Sequence, residues 1–147
     1  MFKHILVPTD GSKLSLKALD LAAGLAISTG AKVSVLHVSP QYPTLVGGDG
    51  YALTPVSPKD WEAALAKQTA KVRELAEKRA ETKSITVQFL STSVDQPYVG
   101  IIDVATRKKC DLIVMASHGR RGISALVLGS ETTKVLTHCK LPVLVCR

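Results

Sequence analysis

The chain has 147 residues, of which 46% are hydrophobic and 21% are charged, and this is the size and balance of one globular domain. The length argues against a two-domain enzyme, and no apolar run approaches the roughly 18 residues that a membrane span needs. The 19 Lys and Arg exceed the 12 Asp and Glu, a surplus that indicates phosphate or nucleic-acid partners only where the charges cluster.

The short apolar stretch Ile5–Val7 is followed at once by Pro8 and Asp10, which is too early for a signal peptide. We therefore expect one cytoplasmic domain over residues 1–147, without a membrane anchor. The three cysteines are odd in number and contain no CxxC pair, so reduced, buried thiols are expected rather than a disulfide framework or a zinc site.

The first half of the chain predicts a strand, a helix and a second strand. Ile5–Val7 has the composition of a buried strand, and Val33–Val38 that of another. Between them, Ser12 is a plausible N-cap and Gly30 a plausible stop. The intervening helix is expected to bury a stripe made of Leu14, Ala18, Leu21 and Leu25.

A Gly-, Pro- and Ser-rich segment follows, over residues 41–57, and predicts an exposed, mobile loop. Ser57 and Pro58 then have the pattern of a helix start. The helix is expected to run to about Glu81, with its charged residues in solvent and its buried stripe formed by Trp61, Leu65, Val72 and Leu75.

The second half predicts three more strands and two helices. The strands contain Ile85, Val87 and Phe89, then Leu112–Met115, then Val143–Cys146. One helix is expected over Pro97–Lys109, with Val99, Ile102 and either Ala105 or Thr106 facing inward, and a short one over Thr132–His138. Five strands alternating with four helices predict an α/β sandwich, with a mostly parallel sheet between helices on both faces.

Ligands of open parallel sheets bind at the carboxyl ends of the strands, where Pro8–Gly11, Val38–Ser39 and the segment 116–130 are expected to meet. In that segment Gly119 and Gly122 allow backbone N–H groups to approach phosphates. Gly129 and Ser130 open a helix, whose N-terminus attracts anions. The alternatives are an ordinary loop for the glycines and a simple N-cap for Ser130.

The whole chain resembles the universal stress protein family. The resemblance rests on the pattern Ala116-Ser-His-Gly119, nine residues, Gly129-Ser130, which is preceded by Asp111–Met115 and followed by Lys140–Val145. Ile5–Ser12 and Leu36–Val38 match as well. The resemblance implies a Rossmann-like, adenine nucleotide alpha hydrolase-like sandwich with an open five-stranded parallel sheet.

The same resemblance implies a homodimer through the last strand, with Val143, Leu144, Val145 and Cys146 at the interface. An unpaired apolar edge strand is an aggregation hazard unless another chain covers it, which supports this expectation physically. An intramolecular cover is the competing interpretation.

Family members that bind ATP carry the motif Gly-x-x-Gly, nine residues, Gly-Ser/Thr, and this chain departs from it at Ala116. The extra methyl is harmless if the backbone φ there is negative and straining if it is positive. Mg²⁺ or Mn²⁺ is expected to bind through the phosphates. The ATP-binding residues implied by position are Pro8, Thr9, Asp10, Val38, Met115, Ala116, Ser117, His118, Gly119, Arg120, Arg121, Gly122, Gly129, Ser130 and Glu131.

Several of these residues have structural alternatives. Asp10 can close a turn or cap the first helix, and His118 can shape its loop rather than act as a general base. His4, His37 and His138 lack ligand spacing, so no metal is assigned to them. There is no GxxxxGK[ST] loop, and no catalytic residue is assigned.

The leading hypothesis is thus an ATP-binding stress-response regulator, a nucleotide-dependent switch with at most slow hydrolysis and an unknown downstream protein partner. The alternative is a dimeric stress-response module that does not bind nucleotide, and a true ATPase is the weakest interpretation. Nucleic acid is not expected, because the aromatic residues are not interleaved with basic ones. Residues 116–140 carry Arg120, Arg121, Lys134 and Lys140 against Glu131, which places a positive excess at the expected phosphate site.

Overall fold

The computed structural model describes residues 1–43, 56–119 and 128–147. The loop predicted for residues 41–57 falls largely outside these ranges, and so do Arg120, Arg121 and Gly122. In the described ranges strands and helices alternate as β1 (His4–Pro8), α1 (Lys13–Thr29), β2 (Lys32–Ser39), α2 (Pro58–Thr82), β3 (Val87–Ser93), α3 (Pro97–Arg107), β4 (Leu112–Ala116), α4 (Ser130–His138) and β5 (Val143–Cys146).

The five strands form one parallel sheet in the order β3-β2-β1-β4-β5. The central strand β1 is fully buried at Ile5, Leu6 and Val7. Ile5 and Val7 pack with residues of α1 and α2, whereas Leu6 packs with residues of α3 and α4. The predicted α/β sandwich, an open parallel sheet with helices on both faces, is confirmed.

Strand order reverses between β1 and β4, because β2 and β3 extend the sheet on one side of β1 and β4 and β5 extend it on the other. Loops leaving the carboxyl ends of β1 and β4 therefore part toward opposite sides and leave a crevice between them. This crevice is the natural ligand position of the fold.

The predicted ends of α1 and α2 are confirmed. The Ser12 hydroxyl accepts the Ser15 N–H at 3.2 Å, and Gly30 ends α1 in the left-handed region at φ 73°. The Ser57 hydroxyl accepts the Asp60 N–H at 3.2 Å, directly before Pro58 at the first position of α2. Local residue chemistry determines where these helices begin.

The buried face of α1 differs from the predicted stripe. Leu21 is 40% exposed and Leu14 and Leu25 are only partly buried, although Ala18 is buried as expected. The buried face consists of Leu19 and of the small residues Ser15, Ala18, Ala22, Ala23 and Ala26. Small side chains beside Leu19 let the helix approach the sheet closely, and Leu14, Leu21 and Leu25 lie to the side of the contact.

The inward face of α3 was also predicted wrongly. Val99 is 41% exposed, Thr106 is exposed and Ile102 is half-buried, and of the four residues named only Ala105 is buried. The buried residues are Gly100, Ile101, Val104 and Ala105. Since Val99 to Ile102 contain only Gly and aliphatic residues, their order alone does not select a face.

The third strand begins at Val87 rather than Ile85. The Ile85 N–H donates to the Ala80 carbonyl at 3.1 Å and so completes the end of α2 instead of joining the sheet. The preceding Ser84 has φ 56°, which turns the chain at this point. In the described part of the chain, no helix is long and apolar enough to cross a membrane.

Candidate functional site

A cleft lies at the carboxyl edge of the sheet, between the ends of β1 and β4 and the N-termini of α3 and α4. It has a narrow part of about 220 Å³ and a wider part of about 700 Å³. The two parts share Asp10, Val38, Pro97, His118, Gly119, Glu131 and Thr132, and they are therefore one continuous depression. This is the crevice expected from the strand order.

The narrow part has mostly apolar walls. Leu36 and Val38 of β2 form one side, Pro97 and Ile101 of α3 another, and Met115 of β4 a third. Polar groups reach it from the Thr9 turn and from Thr132. A small apolar cavity with a few directed polar groups suits a flat heteroaromatic ring.

The turn after β1 is held by a chain of hydrogen bonds. The Thr9 hydroxyl lies 2.8 Å from the Ser15 hydroxyl and accepts the Gly11 N–H at 3.1 Å. The Asp10 Oδ1 atom accepts the Ser12 N–H at 2.9 Å, which closes the turn as the structural alternative for Asp10 predicts. Asp10 also lines both parts of the cleft, so one residue closes the turn and faces the site.

His37 supports this turn from β2. It is buried, and its Nδ1 atom donates to the Thr9 carbonyl at 3.2 Å. The Thr9 N–H in turn donates to the Leu36 carbonyl at 2.8 Å, which continues the pairing of β1 with β2. His37 has no metal-ligand spacing in the sequence, and in the structure it supports the turn that borders the cleft.

The motif region is anchored on both sides of β4. The Ser117 N–H donates to the Cys146 carbonyl at 2.7 Å, and the Ser117 carbonyl accepts the Gly129 N–H at 2.7 Å. The buried Thr132 hydroxyl lies 3.0 Å from the Ala116 carbonyl and 3.1 Å from the Ser117 carbonyl. These bonds fix the N-terminus of α4 against the end of β4.

Ala116 itself is the last residue of β4 and pairs with Cys146. The non-glycine residues with positive φ in the described ranges are Ser84 and Lys109, so Ala116 has an ordinary strand backbone. Since Met115 packs with the α3 and α4 side, the pleat directs the Ala116 methyl toward the opposite layer. The departure from the family motif therefore introduces no backbone strain here.

The two described motif glycines are needed for different reasons. A Cβ on Gly119 would lie 2.7 Å from the Asp10 Oδ2 atom, so this loop passes directly over the carboxylate. A Cβ on Gly129 would lie 3.1 Å from the Ser117 carbonyl oxygen and 3.2 Å from the His118 Cα atom. Gly119 gives space to a side chain, whereas Gly129 gives space to the backbone.

The wider part of the cleft ends at the N-terminus of α4. Gly129 is the N-cap and has no side-chain cap bond, while Ser130 is the first helical residue, so the interpretation of Ser130 as the N-cap is wrong by one position. Free N–H groups and the positive end of the helix dipole favour an anion here. Glu131 follows, and its carboxylate accepts the Tyr98 N–H at 2.8 Å and the Lys134 ammonium at 3.0 Å.

The structure brings most of the expected ATP-binding residues to one place. Lining the cleft are Pro8, Thr9, Asp10, Val38, Met115, Ala116, His118, Gly119, Gly129, Ser130 and Glu131. Ser117 lies behind this wall and contacts the His118 Nδ1 atom at 3.1 Å, whereas Arg120, Arg121 and Gly122 lie outside the described residues.

Sequence reasoning missed several wall residues, notably Ser15, Leu36, His37, Gln68, Val94, Asp95, Pro97, Ile101 and Thr132. Thr132 had a signal, since it lies two residues after the motif serine in the first turn of α4. Gln68 and Asp95 had none, because only the fold brings α2 and the end of β3 to this edge.

Charge in the described walls is acidic, with Asp10, Asp95 and Glu131 among the lining residues. No Lys or Arg is found among the lining residues of the described ranges. The positive charge expected from Arg120 and Arg121 falls outside those ranges. Within the described part, attraction for a phosphate therefore comes from backbone N–H groups and the helix dipole.

Three of the described groups with a displaced pKa lie away from this cleft. Burial raises the pKa of the Cys110 thiol to about 11. A hydrogen bond from Arg79 lowers the pKa of Asp20 and ties α1 to α2. Although burial opposes it, backbone N–H groups of His4 and Lys3 lower the pKa of Asp111. These groups stabilise the fold and lie at a distance from the cleft walls.

The comparisons with known proteins agree with this geometry. Residues 1–147 match the sequence model of the Universal stress protein family. The "Universal stress protein YxiE" of Bacillus subtilis (strain 168) is 32% identical over 149 residues, which cover 100% of both chains. Universal stress protein UspA from Lactobacillus plantarum has the same fold, with a TM-score of 0.81 at 23% identity over 99% of this chain and 97% of that one.

Two further structures of this fold contain nucleotides. A universal stress protein in complex with cAMP has a TM-score of 0.72 at 24% identity, over 99% of this chain and 97% of that one. The universal stress protein from Archaeoglobus fulgidus in complex with dAMP has a TM-score of 0.60 at 20% identity, over 99% and 98%. By its sequence along its whole length, the chain belongs to the universal stress protein family.

Proposed function

We propose that this chain is a stress-response regulator that binds ATP in the cleft and acts as a nucleotide-dependent switch. The observation that carries the proposal is the continuity of a small apolar cavity with the N-terminus of α4, which suits a base at one end and phosphates at the other. The cAMP and dAMP bound by two proteins of the same fold support an adenine nucleotide as the ligand class.

The base is assigned to the narrow part of the cleft. Val38 of β2 and Ile101 of α3 line it, and Pro8 and Met115 complete the walls. Ribose and phosphates then extend past Asp10 and Gly119 toward Gly129 and Ser130. Each position in this assignment follows from which wall is apolar and which has free N–H groups.

Mg²⁺ or Mn²⁺ is assigned to the phosphates. In the described ranges, no group of three or more His, Cys, Asp or Glu side chains could hold a metal ion. An ion of this kind prefers oxygen ligands and keeps several waters, so phosphate oxygens and water would supply most of its coordination. The acidic walls, with Asp10 and Asp95, favour a metal-neutralised phosphate tail over a bare one.

Any hydrolysis is expected to be slow. The His118 Nδ1 atom lies 3.1 Å from the Ser117 hydroxyl, and the Asp10 Oδ1 atom accepts the Ser12 N–H that closes the turn. Both side chains therefore have structural contacts. A turnover well above about one per second, which ordinary enzymes reach, would contradict the switch role and favour an enzyme.

The decisive experiment is a calorimetric titration of ATP, with and without Mg²⁺, into protein freed of small molecules. Ile101→Trp fills the narrow cavity and is expected to weaken binding at least about tenfold, as a lost ring contact of 1.4 kcal/mol would. Val99→Trp is the matched control, since Val99 is on the same helix but 41% exposed. No binding at millimolar ATP, or equal affinities of the two variants with unchanged Tm, would contradict the proposal.

The second candidate function is a dimeric module that does not bind nucleotide, and Ala116 is the observation that favours it. Because Ala116 has a strand backbone, we expect Ala116→Gly to change ATP affinity by less than about threefold, as a change without strain does. A large gain from an undetectable baseline would instead favour the module.

A homodimer through β5 is part of the proposal in either case. Within the described sheet β5 is an edge strand with β4 as its neighbour, and Leu144 is 37% exposed on it. Lysine on an edge strand opposes strand pairing. We expect Leu144→Lys to give a monomer by light scattering, whereas Leu136→Lys, at a residue 42% exposed on α4, leaves a dimer. A monomeric wild-type chain would contradict this interface.

A further inference from the structure

Glu131 has a second role beyond the phosphate end of the cleft, because its carboxylate completes the N-terminus of another helix. The N-cap of α3, Gln96, makes no side-chain cap bond, and Pro97 has no N–H. The next residue, Tyr98, donates its N–H to the Glu131 Oε2 atom at 2.8 Å. Glu131 of α4 therefore caps α3 from a different helix.

The carboxylate is held in this position from both sides. Its Oε1 atom pairs with the Lys134 ammonium at 3.0 Å, and the same ammonium lies 5.5 Å from the centroid of the Tyr98 ring. The other end of α4 also contacts this ring, since the His138 ring lies 5.3 Å from it at 32°. Contacts of α4 with Tyr98 thus involve charge, hydrogen bonding and ring packing.

This cap connects the two ends of the proposed nucleotide site. Glu131 is the second residue of α4 and lies beside Ser130, where the phosphates are assigned. Its acceptor contact positions Pro97 and the rest of α3, which forms a wall of the base cavity with Ile101. A phosphate bound at the N-terminus of α4 would therefore lie beside a carboxylate that caps α3.

We propose that Glu131 is a positioning and specificity-determining residue that tethers α3 to α4 and makes the cleft discriminate against each added phosphate charge. This rests on the proposed nucleotide binding. Like charges in one cleft repel, and the repulsion grows with the charge of the phosphate tail, while the Lys134 ammonium 3.0 Å from Glu131 offsets part of it. Divalent metal, which neutralises the tail, reduces the discrimination. The residue therefore selects among adenine nucleotides by charge and does not act as a phosphate ligand.

The test compares adenosine, AMP and ATP by calorimetry in EDTA, using wild type, Glu131→Gln and Glu131→Ala. Gln keeps an acceptor for the Tyr98 N–H but removes the charge, so adenosine affinity stays within about twofold while ATP affinity rises roughly fivefold, at the lower end of typical couplings between sites. AMP falls between them. With Mg²⁺ the gain for ATP becomes smaller.

The matched control is Glu62→Gln, because Glu62 is exposed on α2 and is not among the described residues lining the cleft. It changes the net charge equally, so long-range effects cancel. If Glu131→Gln gives the same ratio of ATP to adenosine affinity as Glu62→Gln, the charge discrimination is refuted. A loss of ATP affinity in Glu131→Gln would show a phosphate or metal contact instead and would equally overturn it.

The tether is tested without ligand. Hydrogen exchange of the Tyr98 amide is expected to accelerate about tenfold or more in Glu131→Ala, as loss of a cap does, but to stay near wild type in Glu131→Gln. Unchanged protection in Glu131→Ala refutes the tether. If wild type binds none of the three ligands, the proposed function fails and the discrimination with it, whereas amide exchange still decides the tether on its own.

Discussion

Three glycine-to-alanine substitutions separate the structural from the binding role of the motif. Gly129→Ala places a methyl 3.1 Å from the Ser117 carbonyl oxygen and 3.2 Å from the His118 Cα atom. Gly119→Ala places it 2.7 Å from the Asp10 Oδ2 atom. Gly24→Ala places it in open space in the middle of α1 and is the control.

The three changes differ in what must move. At Gly24 alanine stabilises the helix by about 0.5–1 kcal/mol. At Gly129 the neighbours are backbone atoms, so overpacking costs about 1–3 kcal/mol, against which alanine regains about 0.4–1 kcal/mol from the unfolded chain. At Gly119 the neighbour is the Asp10 carboxylate, whose Oδ1 atom accepts the Ser12 N–H, so a shift of Asp10 weakens that bond and costs about 0.5–1.5 kcal/mol, part of which alanine regains from the unfolded chain.

Urea unfolding measures these differences, and ATP titration of the same variants measures their effect on the cleft. With slopes of about 1–3 kcal/mol/M, the midpoints of Gly24→Ala and Gly129→Ala should differ by on the order of 1 M. Gly119→Ala should lower its midpoint by less than Gly129→Ala does and should lose ATP affinity, since the displaced Asp10 carboxylate moves within the cleft. Equal midpoints for Gly129→Ala and Gly24→Ala would refute the reasoning.

Three further predictions concern stability and reactivity. Thr132→Val should lower the free energy of unfolding by about 0.5–1.5 kcal/mol, because the hydroxyl bond to the carbonyls of Ala116 and Ser117 is lost while Ser117 keeps the Gly129 N–H, and a value like wild type would show that the hydroxyl contributes nothing. Asp111→Asn should lower the free energy of unfolding at neutral pH only. Although burial raises the pKa of Asp111, N–H donors that include His4 lower it below 3.8. The carboxylate therefore stabilises the fold above that pH and loses its contribution as the pH falls through the folded value. A stability gap that does not change with pH in acid titration would contradict this. Burial raises the pKa of the Cys110 thiol to about 11, so in native protein at pH 8 it should resist iodoacetamide and react only after unfolding, as peptide mass spectrometry can show; rapid native labelling would disprove it.

Features that depend on neighbours in sequence were predictable. Ser12 begins α1 because an N-cap needs a side-chain acceptor such as a hydroxyl. Gly30 ends it because the C-cap needs a residue that tolerates positive φ. The alternation of strands and helices likewise follows from the change between periods of two and 3.6 residues. These signals were enough for the fold and for the edge of the sheet where the cleft lies.

Features that depend on close packing were not predictable from the sequence. The pattern of α1 pointed to Leu21, but the sheet is approached by alanines such as Ala22, and side-chain size along one helix does not show how near its partner lies. On α3 the run from Val99 to Ile102 fits more than one face. Only the neighbouring strands decide that Ile101 is buried.

The position of the site was predictable, but its contacts between distant residues were not. Motif positions on β1, β2 and β4 meet because parallel strands bring their carboxyl ends together. The hydrogen bond from the Tyr98 N–H to Glu131 joins residues 33 apart in the chain, and no local sequence pattern predicts it. The sequence alone left open whether the backbone φ of Ala116 is positive, and its place in β4 shows that it is not.

The Ser117 N–H donates to the Cys146 carbonyl in β5, the strand that follows α4 along the chain. A nascent chain that has emerged through α4 already contains both walls of the cleft and each motif residue, but the backbone between them still lacks this anchor. The end of β4 beside the cleft therefore gains this hydrogen bond only after β5 has been added to the sheet. β5 is also the strand through which we propose the homodimer, so the proposed association and the anchoring of the cleft both depend on β5 joining the sheet.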